Sequence, residues 1–200
     1  MSERFQNKYR IESARLPGHD YGSNGAYFVT ICTHDRCPYL GEIYDPRVET
    51  HKYASQNQNK LLLVPDNVKF HPSEIGTVAI NLWNEIPRHY PFVILDEFQF
   101  MPNHLHGIII IKKPIVPSIR GYHYRNKFGP QSCNLSSIMR AYKGVVKAFA
   151  TTHGITFGWQ PRFHDNIIRS ISELNRIRKY IKDNPGNWHR DRNNPPGLYM

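Results

Sequence analysis

The sequence predicts an α+β sandwich, in which helices cover one face of an antiparallel sheet. Runs rich in β-branched and aromatic residues alternate with amphipathic stretches in the order strand, helix, two strands, helix, strand, helix. Only a short turn separates the two consecutive strands, which indicates an antiparallel hairpin. A chain of 200 residues with 40% hydrophobic residues suits one domain over 1–200, with a core that needs no disulfides.

The first strand is predicted over Ala26–Thr33, after the loop Gly22–Gly25. Residues 45–70 follow as a polar, irregular insertion, in which Leu61–Val64 is a candidate short strand or hairpin arm. A helix then begins after Ser73 and ends at Pro87. Its apolar residues recur at the spacing of one buried stripe, namely Ile75, Val78, Ala79, Leu82 and Ile86.

The central hairpin is predicted from Phe92–Phe100, the turn Met101–Asn103 and the strongly apolar strand His104–Ile111. Residues 112–134 contain three prolines, two glycines and five Lys or Arg residues without periodicity. This composition predicts a flexible basic loop that is inserted between core elements and is not a domain boundary.

The C-terminal part contains two more helices with a strand between them. Asn134 can cap an amphipathic helix that ends at Gly154. A strand over Trp159–Ile168 follows, and Ser170 then starts the last helix with a capping-box pattern. That helix ends at Asn184, because Pro185 disfavours helical geometry in the residue before it.

The cysteines and the hydropathy exclude several classes of protein. Cys32, Cys37 and Cys133 are odd in number and not at the spacing of a zinc ligand pair, so neither a disulfide framework nor a cysteine zinc site is expected. The N-terminus lacks the apolar stretch of a signal peptide, and no run approaches the roughly 20 apolar residues of a spanning helix. We expect a soluble, cytoplasmic protein with no membrane partner.

The positive charge is concentrated in the C-terminal part of the chain. The formal net charge is +10, yet the residues up to Ile111 contain 10 Lys or Arg against 12 Asp or Glu, and the residues after it contain 16 against 4. Such asymmetry is typical of a protein that binds a polyanion such as nucleic acid, although a basic soluble protein without such a partner has the same composition.

Two histidines in the second hairpin strand are candidate metal ligands. Because side chains alternate along a strand, His104 and His106 project from one face about 7 Å apart along the chain direction. Gly107 leaves room for close packing on the opposite face. Two imidazoles with one amide oxygen leave positions for water and phosphate oxygens, as a Mg²⁺ or Mn²⁺ site for phosphoryl transfer requires. A purely structural pair is the alternative.

The last helix offers a nucleophile and a third ligand. Tyr180 and Asn184 are four residues apart and therefore lie on one face. A tyrosine oxygen can attack phosphorus if its proton is removed or a nearby cation offsets its pKa of about 10. The chain has twelve tyrosines, and packing alone is the alternative role for Tyr180; Tyr142, in an apolar stripe, is a core residue by pattern. Six basic residues are candidates for phosphate contacts or simply form a solvated face: Arg140, Lys143, Lys147, Arg162, Arg176 and Lys179.

An ordered set of motifs resembles a known family. Met101-Pro-Asn-His-Leu-His-Gly107, Trp159-Gln-Pro-Arg-Phe163 and Tyr180-Ile-Lys-Asp-Asn-Pro185 follow the strand Tyr27–Thr33. Together they are similar to the single-tyrosine HUH transposases, in particular the REP-associated tyrosine transposase branch. The likeness extends from about residue 9 to about residue 190.

The resemblance implies a ferredoxin-like sheet on which His104, His106 and Asn184 hold a divalent ion. It assigns Tyr180 as the nucleophile that cleaves single-stranded DNA, with a 5′-phosphotyrosine intermediate and a free 3′-hydroxyl. It further implies hairpin-forming DNA as the partner, and either a monomer or a homodimer. The segments 45–70 and 112–134 depart from the compact family pattern.

Three other functions are compatible with the sequence. The protein could be a domesticated relative that binds hairpin DNA or structured RNA without cutting it. It could instead be a replication-initiator or relaxase-type HUH nickase with the same chemistry. A metal phosphodiesterase with water as its nucleophile is the third, and in that enzyme Tyr180 would be dispensable.

Overall fold

The computed structural model describes residues 16, 19–44, 68–114 and 132–190 of the 200-residue chain. Their strands are β1 (Gly25–Cys32), β2 (Gly41–Tyr44), β3 (Lys69–Pro72), β4 (Val93–Met101), β5 (His104–Ile111) and β6 (His164–Ile168). Their helices are α1 (Glu74–Asn84), α2 (Ile86–His89), α3 (Leu135–Thr152) and α4 (Ile171–Asp183), with 3-10 helices at His34–Arg36 and Pro185–Arg190.

Among these residues, four strands form one antiparallel sheet in the order β4-β5-β1-β6, while β2 and β3 pair separately. Without the β2–β3 pair, the chain order is strand, helix, two strands, helix, strand, which is the ferredoxin-like arrangement. The predicted α+β class and antiparallel sheet are therefore confirmed. The central hairpin is confirmed too, since β4 pairs with β5 through the turn at Pro102 and Asn103.

The helices lie on both faces of the sheet, so the prediction of a single covered face is wrong. On the core face, Val29, Leu105 and Ile109 pack in one buried cluster with side chains of α1 and α3. On the opposite face, which we call the histidine face because it carries His104 and His106, α4 packs against the strands. That smaller cluster contains Ile108, Ile168, Ile177 and Ile181. Because β5 is apolar at successive positions, both of its faces require cover.

The helix starts follow the predicted capping residues. Ser73 accepts a hydrogen bond from the Gly76 backbone, and Asn134 forms a reciprocal capping box with Ser137. At α4, Ser170 accepts from the Glu173 backbone, while the Glu173 carboxylate accepts from the backbone of Arg169 and not from that of Ser170. The predicted capping box at Ser170 is thus only half formed.

The predicted strand Trp159–Ile168 is shorter than expected. Only His164–Ile168 pairs continuously with β1, and Trp159 makes an isolated bridge to Thr33. Pro161 has no N–H to donate, and Arg162 has a φ of 66°. The chain between Trp159 and His164 is therefore not hydrogen-bonded to β1 as a continuous strand.

Most of the two predicted insertions lies outside the described residues. Of 45–70, residues 68–70 are described, and β3 begins there and pairs with β2. The candidate arm Leu61–Val64 lies outside, as does the basic loop except for 112–114 and 132–134. No helix in the described part of the chain has the length and hydropathy needed to cross a membrane.

Candidate active site

Strand β5 brings the two histidines together on one face of the sheet. His104 pairs with Cys32 and His106 with Thr30, so both side chains project from the histidine face as predicted. Their exposed fractions are 0% and 3%, and their ring centroids are 4.5 Å apart. On the core face, a ring carbon of Trp83 lies 2.6 Å from where a Cβ on Gly107 would be, which confirms the predicted close packing behind the pair.

A side-chain oxygen contacts the Nδ1 atom of each histidine. Asn103 Oδ1 lies 2.9 Å from His104 Nδ1, and Thr30 Oγ1 lies 2.9 Å from His106 Nδ1. Histidine ligands of metal sites characteristically have such an oxygen at the nitrogen that does not face the metal. The Thr30 contact was not predicted, because it depends on the register that places Thr30 opposite His106.

Burial keeps His104 uncharged. Loss of solvent, together with the nearby positive charge of Arg36, lowers the pKa of His104 from 6.5 to about 3. The ring is therefore neutral at physiological pH, and neutral imidazole is the form that coordinates a metal ion.

Helix α4 places Tyr180 beside this pair. The Tyr180 Oη atom lies 3.3 Å from His106 Nε2, and the two ring centroids are 5.3 Å apart. Phe28 stacks on the His106 ring and meets the edge of the Tyr180 ring, so it packs against both. Tyr180 is 48% exposed, in contrast to the buried histidines, so a substrate can approach this side chain.

Asn184, the predicted third ligand, is the residue that follows α4. It is 4% exposed, and its Oδ1 atom is buried without a hydrogen-bond partner among the described residues. After it, the 3-10 helix brings Trp188 against His104, with ring centroids 6.0 Å apart. The chain thus contacts His106 through Tyr180 and His104 through Trp188, with Asn184 between these two contacts.

The donor set fits a divalent metal ion. Two imidazoles and one amide oxygen suit Mn²⁺ and, through the amide and phosphate oxygens, Mg²⁺. In the described part of the chain, no three His, Cys, Asp or Glu residues form a cluster able to hold a metal ion. Asn184 is not one of these residue types, and its buried, unsatisfied oxygen keeps it the predicted third ligand.

Two ion pairs hold α4 against the edge strand β4. The Arg178 guanidinium donates from Nε to Asp96 Oδ1 at 2.7 Å, and Lys182 Nζ lies 3.1 Å from a Glu97 carboxylate oxygen. Asp96 and Glu97 lie where the β4–β5 register shifts, which is an irregularity that turns both carboxylates to α4. The Arg178 hydrogen bonds hold the pKa of the Asp96 carboxyl below its usual value.

The predicted DNA contacts fall into two groups. Lys143 donates to the carbonyls of Gln160 and Arg162 at 2.6 Å, and Lys147 donates to that of Phe157 at 2.7 Å, so both fasten the segment 157–162 to α3. Arg176 and Lys179 are mostly exposed on α4, where they pair with Glu173 and Asp183 respectively. Arg140 and Arg162 are exposed, and a DNA-binding role of all six residues stays a prediction.

Sequence and structure comparisons give one family relationship. No family model matches the chain. A Haemophilus influenzae protein described as uncharacterised is 30% identical over 188 residues, which is 90% of this chain and 90% of that protein. A solved structure of a REP-associated tyrosine transposase bound to a REP hairpin covers 92% of this chain and 73% of its own, with 19% identity and a TM-score of 0.44. Likeness of that degree says nothing about function, which has to be argued from the site.

Proposed function

The chain belongs to the family of the uncharacterised Haemophilus influenzae protein, whose description gives no activity, and we propose from the geometry of the site that the chain is a metal-dependent single-strand DNA transferase. The observation that carries the proposal is the 3.3 Å contact between the half-exposed Tyr180 hydroxyl and the buried histidine pair. A half-exposed tyrosine hydroxyl beside a buried histidine pair, with an unsatisfied amide oxygen four residues further along the chain, is an arrangement suited to phosphoryl transfer.

In the proposed reaction, Tyr180 Oη attacks the phosphorus of a DNA phosphodiester and releases its proton to solvent, to which this side chain is half exposed. The bond from phosphorus to the 3′-oxygen breaks, and that oxygen leaves with a proton as a 3′-hydroxyl. The product is a 5′-phosphotyrosine, and strand joining is the reverse step with another 3′-hydroxyl as the attacking group. Because the bond energy is kept in the phosphotyrosine, no nucleotide cofactor is needed.

His104, His106 and Asn184 would hold the divalent cation, Mg²⁺ or Mn²⁺. When bound, such an ion supplies positive charge that polarises the phosphate and favours the ionised form of a neighbouring hydroxyl. The protein's own part is to orient the groups. Phe28 packs against both the His106 and the Tyr180 rings, and α4 keeps the hydroxyl at the edge of the pair. Burial of the histidines limits their contact with solvent.

The substrate class follows from the motif resemblance and the charge. Single-stranded DNA that folds into hairpins is the ligand of the similar transposases, and the basic C-terminal part of the chain suits a polyanion. Arg140, Arg162, Arg176 and Lys179 are exposed or mostly exposed and can reach phosphates, while Lys143 and the exposed Lys147 donate to carbonyls of the 157–162 segment. A single copy or a homodimer is compatible with this arrangement.

The test is covalent capture of labelled hairpin DNA taken from the flanks of the reading frame, with Mg²⁺ or Mn²⁺, followed by a denaturing gel. We expect a slow, protease-sensitive band that a chelator removes. Tyr180→Phe should abolish the band without weakening DNA binding, because only the attacking oxygen is lost.

Tyr90→Phe is the matched control. Tyr90 packs against the core cluster on the other side of the sheet, so loss of its hydroxyl should leave the band unchanged. Cleavage that persists in Tyr180→Phe would instead identify water as the nucleophile. Tight DNA binding with no band from the unmodified protein would identify a hairpin-binding protein without cleavage activity.

A further inference from the structure

We infer that Asn103 and Thr30 are positioning residues that set the tautomer and the orientation of the two site histidines. Each places a side-chain oxygen 2.9 Å from the Nδ1 atom of one histidine. An oxygen that accepts from Nδ1 leaves Nε2 as the basic nitrogen of that ring. The importance of this for catalysis rests on the proposed function, but the tautomers themselves do not.

The Asn103 amide can face His104 in only one way. Its Nδ2 donates to the Arg36 carbonyl at 2.9 Å, which directs Oδ1 to His104 Nδ1. The amide oxygen has no proton to give, so the hydrogen in that contact belongs to His104 Nδ1. Asn103 is 1% exposed, and its backbone carbonyl accepts hydrogen bonds from both the backbone N–H and the hydroxyl of Thr33. The amide is therefore held rigidly where it is needed.

Thr30 contacts His106 across the strand pair. Its hydroxyl can donate as well as accept, and it accepts from Nδ1 in the form of His106 whose basic nitrogen is Nε2. The register sets the two residues directly opposite each other, so hydroxyl and imidazole lie side by side on the histidine face. With the proton on Nδ1, the Nε2 lone pair of His106 faces the Tyr180 hydroxyl in the ion-free protein, and a bound ion would take that lone pair in place of the hydroxyl. Phe28 stacks on the ring at an interplanar angle of 27° and opposes its rotation.

The pair is thus oriented before any ligand arrives. Both Nε2 atoms become electron donors without a change of tautomer, and the orientation entropy is lost on folding rather than on binding. Neither Asn103 nor Thr30 needs to touch the substrate for this effect. Both act through a histidine, which makes them positioning residues.

The first experiment uses Thr30→Val, which keeps the shape and the β-branching and removes only the hydroxyl. Nitrogen chemical shifts of the imidazoles, recorded on isotope-labelled protein without metal, report the tautomer directly. We expect His106 to gain a population with its proton on Nε2. The affinity for Mn²⁺ in the absence of DNA should fall about tenfold or more. It is measured from the electron paramagnetic resonance signal of the unbound ion.

Two controls accompany that variant. Thr30→Ser restores a hydroxyl at the same place and should return both the tautomer and the Mn²⁺ affinity towards those of the unmodified protein. Thr77→Val removes a hydroxyl that donates to the backbone carbonyl of Ser73 at the start of α1, away from the site, and should change neither.

The second experiment compares two substitutions of Asn103. Asn103→Asp keeps an oxygen acceptor for His104 Nδ1 and should preserve the tautomer of that ring. Asn103→Leu removes the acceptor, so part of the His104 population should carry its proton on Nε2. If the leucine variant fails to fold, the Thr30 series still decides for His106. An unchanged His106 tautomer and an unchanged Mn²⁺ affinity in Thr30→Val would overturn the inference, whether or not DNA is cleaved. Conversely, a shifted tautomer in a protein that never cleaves DNA would support the inference and remove the proposed function.

Discussion

Gly107 is a closely packed position in strand β5. On the core face, a Cβ at this position would lie 2.6 Å from a ring carbon of Trp83, and that ring is fully buried. Trp83 also packs edge-on against Tyr142, so it has little room to move away. The absence of a side chain at 107 therefore allows α1 to pack closely behind the histidines.

Gly107→Ala is expected to lower the free energy of unfolding by about 1–3 kcal/mol, because a methyl group overpacks the Trp83 contact. Urea denaturation measures the change. Gly144→Ala is the control, since its Cβ would meet nothing within 4 Å on the exposed side of α3. There the same substitution should stabilise the protein by up to about 1 kcal/mol through helix propensity. Equal stability of Gly107→Ala and the unmodified protein would show that the Trp83 ring shifts to accommodate the methyl group.

Individual residues differ in how far the sequence reveals them. His104 and His106 are two apart in an apolar strand, and Tyr180 and Asn184 are one turn apart in a helix, so local periodicity was enough to group each pair. The partnership of Thr30 with His106 spans 76 positions and exists only through the strand register. No local pattern encodes that register, so nothing in the sequence distinguishes Thr30 from other strand residues.

At the scale of elements, α4 is the part whose placement decides the distance between nucleophile and histidines. Its apolar side touches the sheet through a small isoleucine cluster, and its flank is tied to β4 by Asp96–Arg178 and Glu97–Lys182. Because Arg178 and Lys182 are one turn apart, the two pairs fix the rotation of the helix as well as its position. Tyr180 lies between them in the chain.

Asp96→Asn is expected to slow covalent capture of DNA several-fold while DNA affinity changes little, because the helix loses its charged anchor and Tyr180 loses its fixed approach. Single-turnover cleavage rates and a binding titration separate the two effects. Glu85→Gln, which breaks an exposed ion pair with Arg88 away from the site, should leave both quantities unchanged. A cleavage rate that is equally unaffected in Asp96→Asn would show that apolar packing alone positions α4.

The same ion pair predicts a pH dependence of stability. Arg178 lowers the pKa of the Asp96 carboxyl in the folded protein below its ordinary value of 3.8. The stabilisation is therefore complete above that ordinary value and is lost as the pH falls through the lowered one. Urea denaturation should show a constant stability difference between the unmodified protein and Asp96→Asn from pH 5 to 8, and a shrinking difference below about pH 4. A difference that changes between pH 5 and 8 would assign the effect to another group.

The sequence pattern predicted the strands of the sheet better than it predicted which face of the sheet each helix covers. Strands and helices came from periodicity and capping residues, which are local, and β5 was predicted with the bounds it has. Which face each helix covers depends on long-range packing. The isoleucines of β5 alternate between the two faces, so they are compatible with cover on either side. The break at Pro161 and Arg162 also escaped a prediction based on residue types that favour strands.

For the whole molecule, the uneven charge predicts strongly salt-dependent DNA binding. If three to six phosphates are neutralised, the logarithm of the binding constant should fall with the logarithm of salt concentration with a slope of about −2 to −4 for a single strand. Arg140→Ala should make the slope shallower by about 0.7 if Arg140 contacts a phosphate. Arg88→Ala, on a residue paired with Glu85, should not change it. Slopes near zero for the unmodified protein would argue against nucleic acid as the partner.

The two halves of the site differ in how firmly the fold holds them. The histidines are carried by a strand that is paired on both sides and is backed by the larger cluster, whereas the tyrosine is carried by a helix that rests on the smaller one. Backbone amides of β5 should therefore be among the slowest in the protein to exchange with solvent deuterium, and those of α4 should exchange much earlier through local opening. Under mild denaturant, the protein would first lose its nucleophile and only later its histidine pair, so inactivation would precede unfolding.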